Sequence, residues 1–272
     1  MTTTGQLIPQ LSIISMGFIA ILCVAIPLIA FFAFKNRFHV KVQSFFMGII
    51  TYAIFGLFIG SFSNELFLAE TSVLRPIILQ SPVSTTIYVA LVAGIAEEVG
   101  RYFCMSLLMR NCRKEDAFVY GIGHGGLEML WIGTWALIQD IVIGMALNQF
   151  GSIESYAAQA GTAEESASIT TYLTNLVGTP ARDYLMIGLE RIAMLVVQVG
   201  LSILIYKAVS RKKYIYIPLA IILHTAMSFL VNLRQYQVSV NYYLTDLLAI
   251  VLALLIAGFA FRQYQFLKYD EY

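Results

Sequence analysis

The sequence predicts an all-α fold, a polytopic transmembrane helix bundle of about seven spans with the N-terminus outside and the C-terminus cytoplasmic. Two observations carry this. Of 272 residues, 59% are apolar and 12% charged, against about 45–50% and about 25% in globular domains. The apolar residues also gather into seven runs, 11–34, 43–63, 83–109, 117–139, 184–206, 214–233 and 243–264, each near the roughly 20 residues that cross about 30 Å of hydrocarbon. Such a composition excludes a soluble enzyme, a disordered chain and a nucleic-acid binder with a basic face. The 17 Lys and Arg nearly cancel the 16 Asp and Glu, so no strong field draws in a polyanion.

The spans differ in what they carry. Runs one and two hold no charge, and MTTTGQLIPQ before the first lacks a basic n-region, so the first run reads as an uncleaved helix. Run three contains GIAEEVGRYF and run four YGIGHGGLEML, with a weaker apolar extension to about residue 149 that reads as interfacial. Residues 150–182 are small, polar and mildly acidic, an outer-face loop with room for a short amphipathic helix. They are too few for a separate domain, so residues 1–272 read as one membrane-embedded domain. Run five carries Glu190, Arg191 and Gln198, and run six places His224, Ser228 and Asn232 on one stripe. Asp246 falls near the outer end of run seven and reads as interfacial. Cys23 and Cys104 lie in apolar runs and Cys112 beside basic residues, so reduced thiols are expected.

Orientation follows from basic residues in the connections. Lys35, Arg37, Lys41, Arg110, Arg113, Lys114, Lys207, Arg211, Lys212, Lys213, Arg262 and Lys268 fall on one side; Arg75, Arg182 and Arg234 fall on the other. The richer side is the expected cytoplasmic face of a multi-pass protein in the cell membrane.

Ionisable groups at mid-bilayer cost about 2.5–3.5 kcal/mol each on the lenient insertion scale, and here they are grouped. Arg101 is i+4 from Glu97 and i+3 from Glu98, within reach of either on a helix. The two glutamates diverge by about 100°, so one can pair with Arg101 while the other faces a cavity. His124 and Glu128 stack at i, i+4 among Gly121, Gly123, Gly125 and Gly126. At 1.5 Å per residue from the cytoplasmic end, Glu97 lies about 18 Å deep, His124 about 10 Å, and Glu128 and His224 roughly 15 Å. One layer can therefore hold carboxylates, two imidazoles and a hydroxyl. Such a set can deprotonate water and stabilise an oxyanion, or His124, Glu128 and His224 can hold Zn²⁺ with an open position.

Glu97-Glu98-x-x-Arg101, then Gly123-His124-Gly125-Gly126-x-Glu128 one span later, then an intramembrane His, resembles the YhfC family of intramembrane peptidases. That family is in turn similar to the CAAX-prenyl-protease and PrsW-like membrane proteases. The resemblance implies hydrolysis of a peptide bond in a membrane-associated peptide or protein. It implies Glu97 or Glu98 as general base, His124 assisting, Glu128 orienting His124 or binding metal, His224 serving the oxyanion and Arg101 anchoring the carboxylates. Two positions depart from the pattern. Ser228 stands where Asn or Asp is expected after His224. Glu190 and Arg191 are followed by Gln198 and Ser202 where HxxxS is expected. An amide neither takes up a proton nor binds zinc well. A catalytically impaired relative that binds peptides or partners is the alternative, and a proton-coupled transporter a third reading. Against the transporter, the sequence shows no inverted repeat.

Overall fold

The computed structural model describes residues 7–267; the two termini, with Lys268, lie outside the described residues, and so does their expected sidedness. Among the described residues all regular structure is helical. In chain order the helices of five residues or more are α1 (Gln10–Phe38), α2 (Val42–Phe67), α3 (Pro82–Leu108) and α4 (Lys114–Phe150), with a single turn of helix, Arg75–Ile78, between α2 and α3. The short α5 (Ile153–Ala157) and α6 (Ala163–Gly178) follow, then α7 (Ala181–Ser210), α8 (Tyr216–Asn232) and α9 (Tyr242–Phe266). Among the described residues, α1–α4, α7 and α9 are six helices long and apolar enough to cross a membrane, and α8 is a shorter apolar helix. The 17 residues of α8 rise about 26 Å, short of a full hydrocarbon width.

Local chemistry sets the ends. Ser81 starts α3 through a reciprocal capping box with Ser84, with Pro82 at the first helical position. Asp116 caps α4 by accepting from the backbone N–H of Arg113 at 2.9 Å and of Lys41 at 2.8 Å, which ties the α1–α2 connection to the start of α4. The apolar extension after residue 139 is an integral part of α4. It continues through Gly144 to Phe150, and Gly151, whose φ is 79°, ends the helix in the left-handed region. The polar 150–182 segment holds two helices, the second opened by a Thr162–Glu165 capping box. Three stretches, Tyr52–Phe58, Cys104–Leu108 and Met129–Trp135, widen to π-helical turns inside α2, α3 and α4. Such widening is frequent at functional sites.

The chain divides into two compact units. One comprises the described residues up to 25 with Met129–Leu189. Within it Asn148 brackets the backbone of Ile8, accepting from its N–H at 2.9 Å and donating to its carbonyl at 3.1 Å. Thr134 donates to the carbonyl of Ala20 at 3.0 Å, and the Tyr172 hydroxyl hydrogen-bonds Asp140.

The other unit comprises Ile26–Glu128 and the described residues from Glu190 onward. Here the part of α7 from Ala193 to Ala208 is buried over most of its length, with Val197, Leu201, Leu204 and Ile205 inaccessible. Helix α9 turns Ala249, Ala253 and Ala260 inward, while Leu254 and Leu255 are 65% and 66% exposed. Small residues inside and large apolar ones outside are what a lipid-embedded helix requires, because lipid gives helices no hydrophobic reason to associate and close packing must do so. All three cysteines are thiols. Cys112, in the α3–α4 connection, has its thiol pushed up to about 12 by burial, with Asp116 adding to the effect.

Candidate functional site

The intramembrane polar residues of α3, α4, α7 and α8 meet in the second unit. Close helix approach makes the meeting possible, and glycine makes the approach possible. A Cβ on Gly123 would sit 2.0 Å from the carbonyl oxygen of Phe45, and one on Gly48 would sit 2.1 Å from that of Tyr120; α2 and α4 therefore touch backbone to backbone. On another face of α4, a Cβ on Gly121 would lie 2.6 Å from the Cα of Val199, and one on Gly125 2.9 Å from the Cβ of Gln198. These two glycines admit α7 beside His124. Gly94, one turn before Glu98, does the same for α8, since its added Cβ would lie 2.3 Å from the Thr225 hydroxyl. The glycines around His124 are thus the surfaces against which two neighbours pack. Gly123→Ala is expected to cost about 1–3 kcal/mol, the usual penalty for overpacking. A lowered thermal midpoint of the detergent-purified protein would register it, and an unchanged midpoint would show that α2 can move away freely.

Arg101, inaccessible to solvent, organises the layer. Its Nε and Nη2 donate to the two oxygens of Glu98, each at 3.1 Å, a forked pairing that fixes the carboxylate plane. Its Nη1 donates to the carbonyl of Gln198 at 3.0 Å. The guanidinium also donates to the Ser202 hydroxyl and to Oε1 of Gln198. Glu98 completes its shell with Nδ1 of His224 at 2.8 Å. Of the two glutamates, Glu98 is the one paired with the arginine, while Glu97 faces His124 and Gln198 rather than a cavity.

Glu97 makes other contacts. Its Oε2 lies 2.9 Å from Nε2 of His124, accepts from Nε2 of Gln198 at 3.2 Å and is 3.8 Å from Nε2 of His224. Gln198 also donates from the same nitrogen to Oε2 of Glu128 at 2.6 Å. His124 sits between two tyrosine rings, Tyr52 edge-on at 5.3 Å and Tyr120 roughly parallel at 6.0 Å between centroids. Two buried imidazole nitrogens, Nδ1 of His124 and Nε2 of His224, have no hydrogen-bond partner among the described residues. The second faces the carboxylate of Glu97.

Of the residues singled out from sequence, Glu97, Glu98, Arg101, His124, Glu128, Gln198 and His224 are in one hydrogen-bonded network. Ser228 is buried one turn beyond His224, where its backbone carbonyl accepts from Asn232. Glu190 and Arg191 belong to a second cluster nearer the start of α7, 3.9 Å apart, with Glu190 in hydrogen-bond reach of Asp246. Asp246 is turned into the protein: it is 1% exposed and accepts from Arg234 at 2.9 Å. Without that guanidinium, burying the carboxylate would be prohibitive. Ser202, read from sequence as the serine i+4 from Gln198, receives a hydrogen bond from Arg101. Sequence reasoning left two contributors unplaced: Tyr52 and Tyr120 flank His124, and nothing marked them among sixteen tyrosines.

The donor set contains the chemistry a divalent cation prefers, two imidazoles and carboxylates. As placed, the carboxylates, Nε2 of His124 and Nδ1 of His224 are engaged with one another, with Arg101 or with Gln198, while Nε2 of His224 has no hydrogen-bond partner among the described residues. Among the described residues no group of three or more His, Cys, Asp or Glu side chains is arranged to hold a metal ion. His124, Glu128 and His224 do not converge as a ligand set, because Glu128 faces the Gln198 amide while the imidazoles face Glu97 and Glu98.

Comparison with known proteins identifies the family. A family model described as "YhfC intramembrane metalloprotease" matches residues 21–249. The chain is similar to the uncharacterized membrane protein YhfC of Bacillus subtilis (strain 168), with 30% identity over 192 residues, covering 70% of this chain and 72% of the relative. No solved structure gives a significant match.

Proposed function

The chain belongs to the YhfC family, and from that premise we propose that it is a multi-pass peptidase of the cell membrane, its basic connections toward the cytoplasm, hydrolysing a peptide bond in a membrane-associated peptide or protein. The observation that carries the reading is the Glu97–His124 pair at 2.9 Å, buried within spans beside an imidazole nitrogen, Nε2 of His224, that has no partner. That nitrogen is buried and takes no hydrogen bond from the protein, which leaves it as a group that a substrate carbonyl can engage.

In this reading Glu97 takes a proton from a water molecule while His124 orients its carboxylate. The hydroxide oxygen bonds to the substrate carbonyl carbon. His224, held by Glu98 through Nδ1, presents Nε2 in its protonated form to the oxyanion. The intermediate collapses as the C–N bond breaks, and the proton on Glu97 passes to the leaving amine. Arg101 holds Glu98, and so His224, in place. Glu98 is too fully engaged with arginine and imidazole to be the base.

The test is cleavage of a membrane-inserting peptide by the purified protein in liposomes, with products identified by mass. His224→Ala is expected to lower the rate about 10²–10³-fold, the usual loss for one oxyanion donor, with the protein still folded. Wild-type activity in that variant would remove His224 from the mechanism. A second reading, a non-hydrolytic relative that binds peptides, is favoured by Gln198 at the centre of the network. Full biological function in a Glu97/Glu98 double variant would establish it over the enzyme.

A further inference from the structure

The family description names a metal, and Gln198 is where this chain disagrees with it. Its Oε1 accepts from the Arg101 guanidinium. That contact decides which way the amide points, since a guanidinium offers only donors. The –NH₂ end must then face the carboxylates, and it does: Nε2 lies 2.6 Å from Oε2 of Glu128 and 3.2 Å from Oε2 of Glu97. Two amide hydrogens thus stand between two carboxylates, where a bridging cation would otherwise be needed to keep them together. The nitrogen of a neutral amide has no lone pair to give a metal, so the group that holds these carboxylates is not a ligand. Arg101 cannot be deprotonated in a protein, which makes the orientation permanent.

We propose that Gln198 is a positioning residue that takes the place of a metal ion in this chain, so that hydrolysis here is of the glutamate type and needs no bound cation. The inference rests on the peptidase reading for its chemistry, but metal content is measurable without any substrate. Arg101 polarises the amide; the amide bridges Glu97 and Glu128 and helps aim Glu97 at His124. Gln198→His would exchange the two N–H donors for an imidazole beside Glu97, Glu128 and His124, a set that fits Zn²⁺.

The experiment is elemental analysis of the purified full-length protein, with cleavage assayed before and after a zinc chelator. Wild-type protein is expected to contain no stoichiometric zinc, iron, manganese or cobalt, and to keep its activity in the chelator. Gln198→His is expected to bind one Zn²⁺ per chain, or Co²⁺ with the visible absorption of a tetrahedral site. One tightly held metal per wild-type chain, lost together with thermal stability on chelation, overturns the proposal whether or not the variant folds. Metal-free protein that cleaves nothing leaves the metal assignment standing and removes the peptidase reading instead.

Discussion

Glu97→Gln is expected to lower peptide cleavage about 10²–10⁴-fold, the range a positioned general base contributes, while leaving the fold intact. The glutamine oxygen can occupy the place of Oε2, 2.9 Å from Nε2 of His124 and 3.2 Å from Nε2 of Gln198, and so keep both contacts as an acceptor. What it cannot do is take a proton. Burying a neutral amide is also cheaper than burying a carboxylate among hydrocarbon, so the thermal midpoint should hold or rise. The informative measurement is the pair, cleavage rate and midpoint on the same preparation. A variant as active as wild type would take Glu97 out of the chemistry. A variant that merely unfolds would mean that the carboxylate is structural.

How much of this was legible beforehand depends on the kind of residue. The spans were readable because hydrocarbon leaves the chain no choice: each backbone polar group must be satisfied within a helix, and each outward residue must be apolar. Glu97, Glu98, Arg101, His124, Glu128 and His224 were readable for the converse reason, that groups so costly at mid-bilayer need partners. Which partner each takes was not readable. Arg101 pairs with Glu98 while Glu97 turns to His124 and Gln198, and those outside partners are brought within reach by the close approach of neighbouring helices at Gly94, Gly121 and Gly125. The pairing of Asp246 was not readable because its partner Arg234, twelve residues earlier, lies between helices where no periodicity applies. Gln198 read from sequence as a lost imidazole. In three dimensions it is the residue that joins Arg101 to Glu97 and Glu128.

Arg101→Met should be the most destabilising single change, costing about 3–5 kcal/mol, because removing one partner of a buried pair strands the other charge. The loss would leave Glu98 with His224 alone and would release the backbone carbonyl and the side-chain oxygen of Gln198 together with the Ser202 hydroxyl. Methionine fills much of the volume, so the effect is electrostatic rather than a cavity. Adding Glu98→Met should restore most of the stability, since replacing both members of a buried pair by apolar groups is often neutral or favourable. The double variant would stay inactive, with His224 no longer held. Unfolding curves of the two single variants and the double variant in one detergent close the cycle. Additive losses, with no recovery in the double variant, would mean that Arg101 acts through Gln198 and Ser202 on α7 rather than through Glu98, and that α7, not the carboxylate pair, is what the guanidinium holds in place.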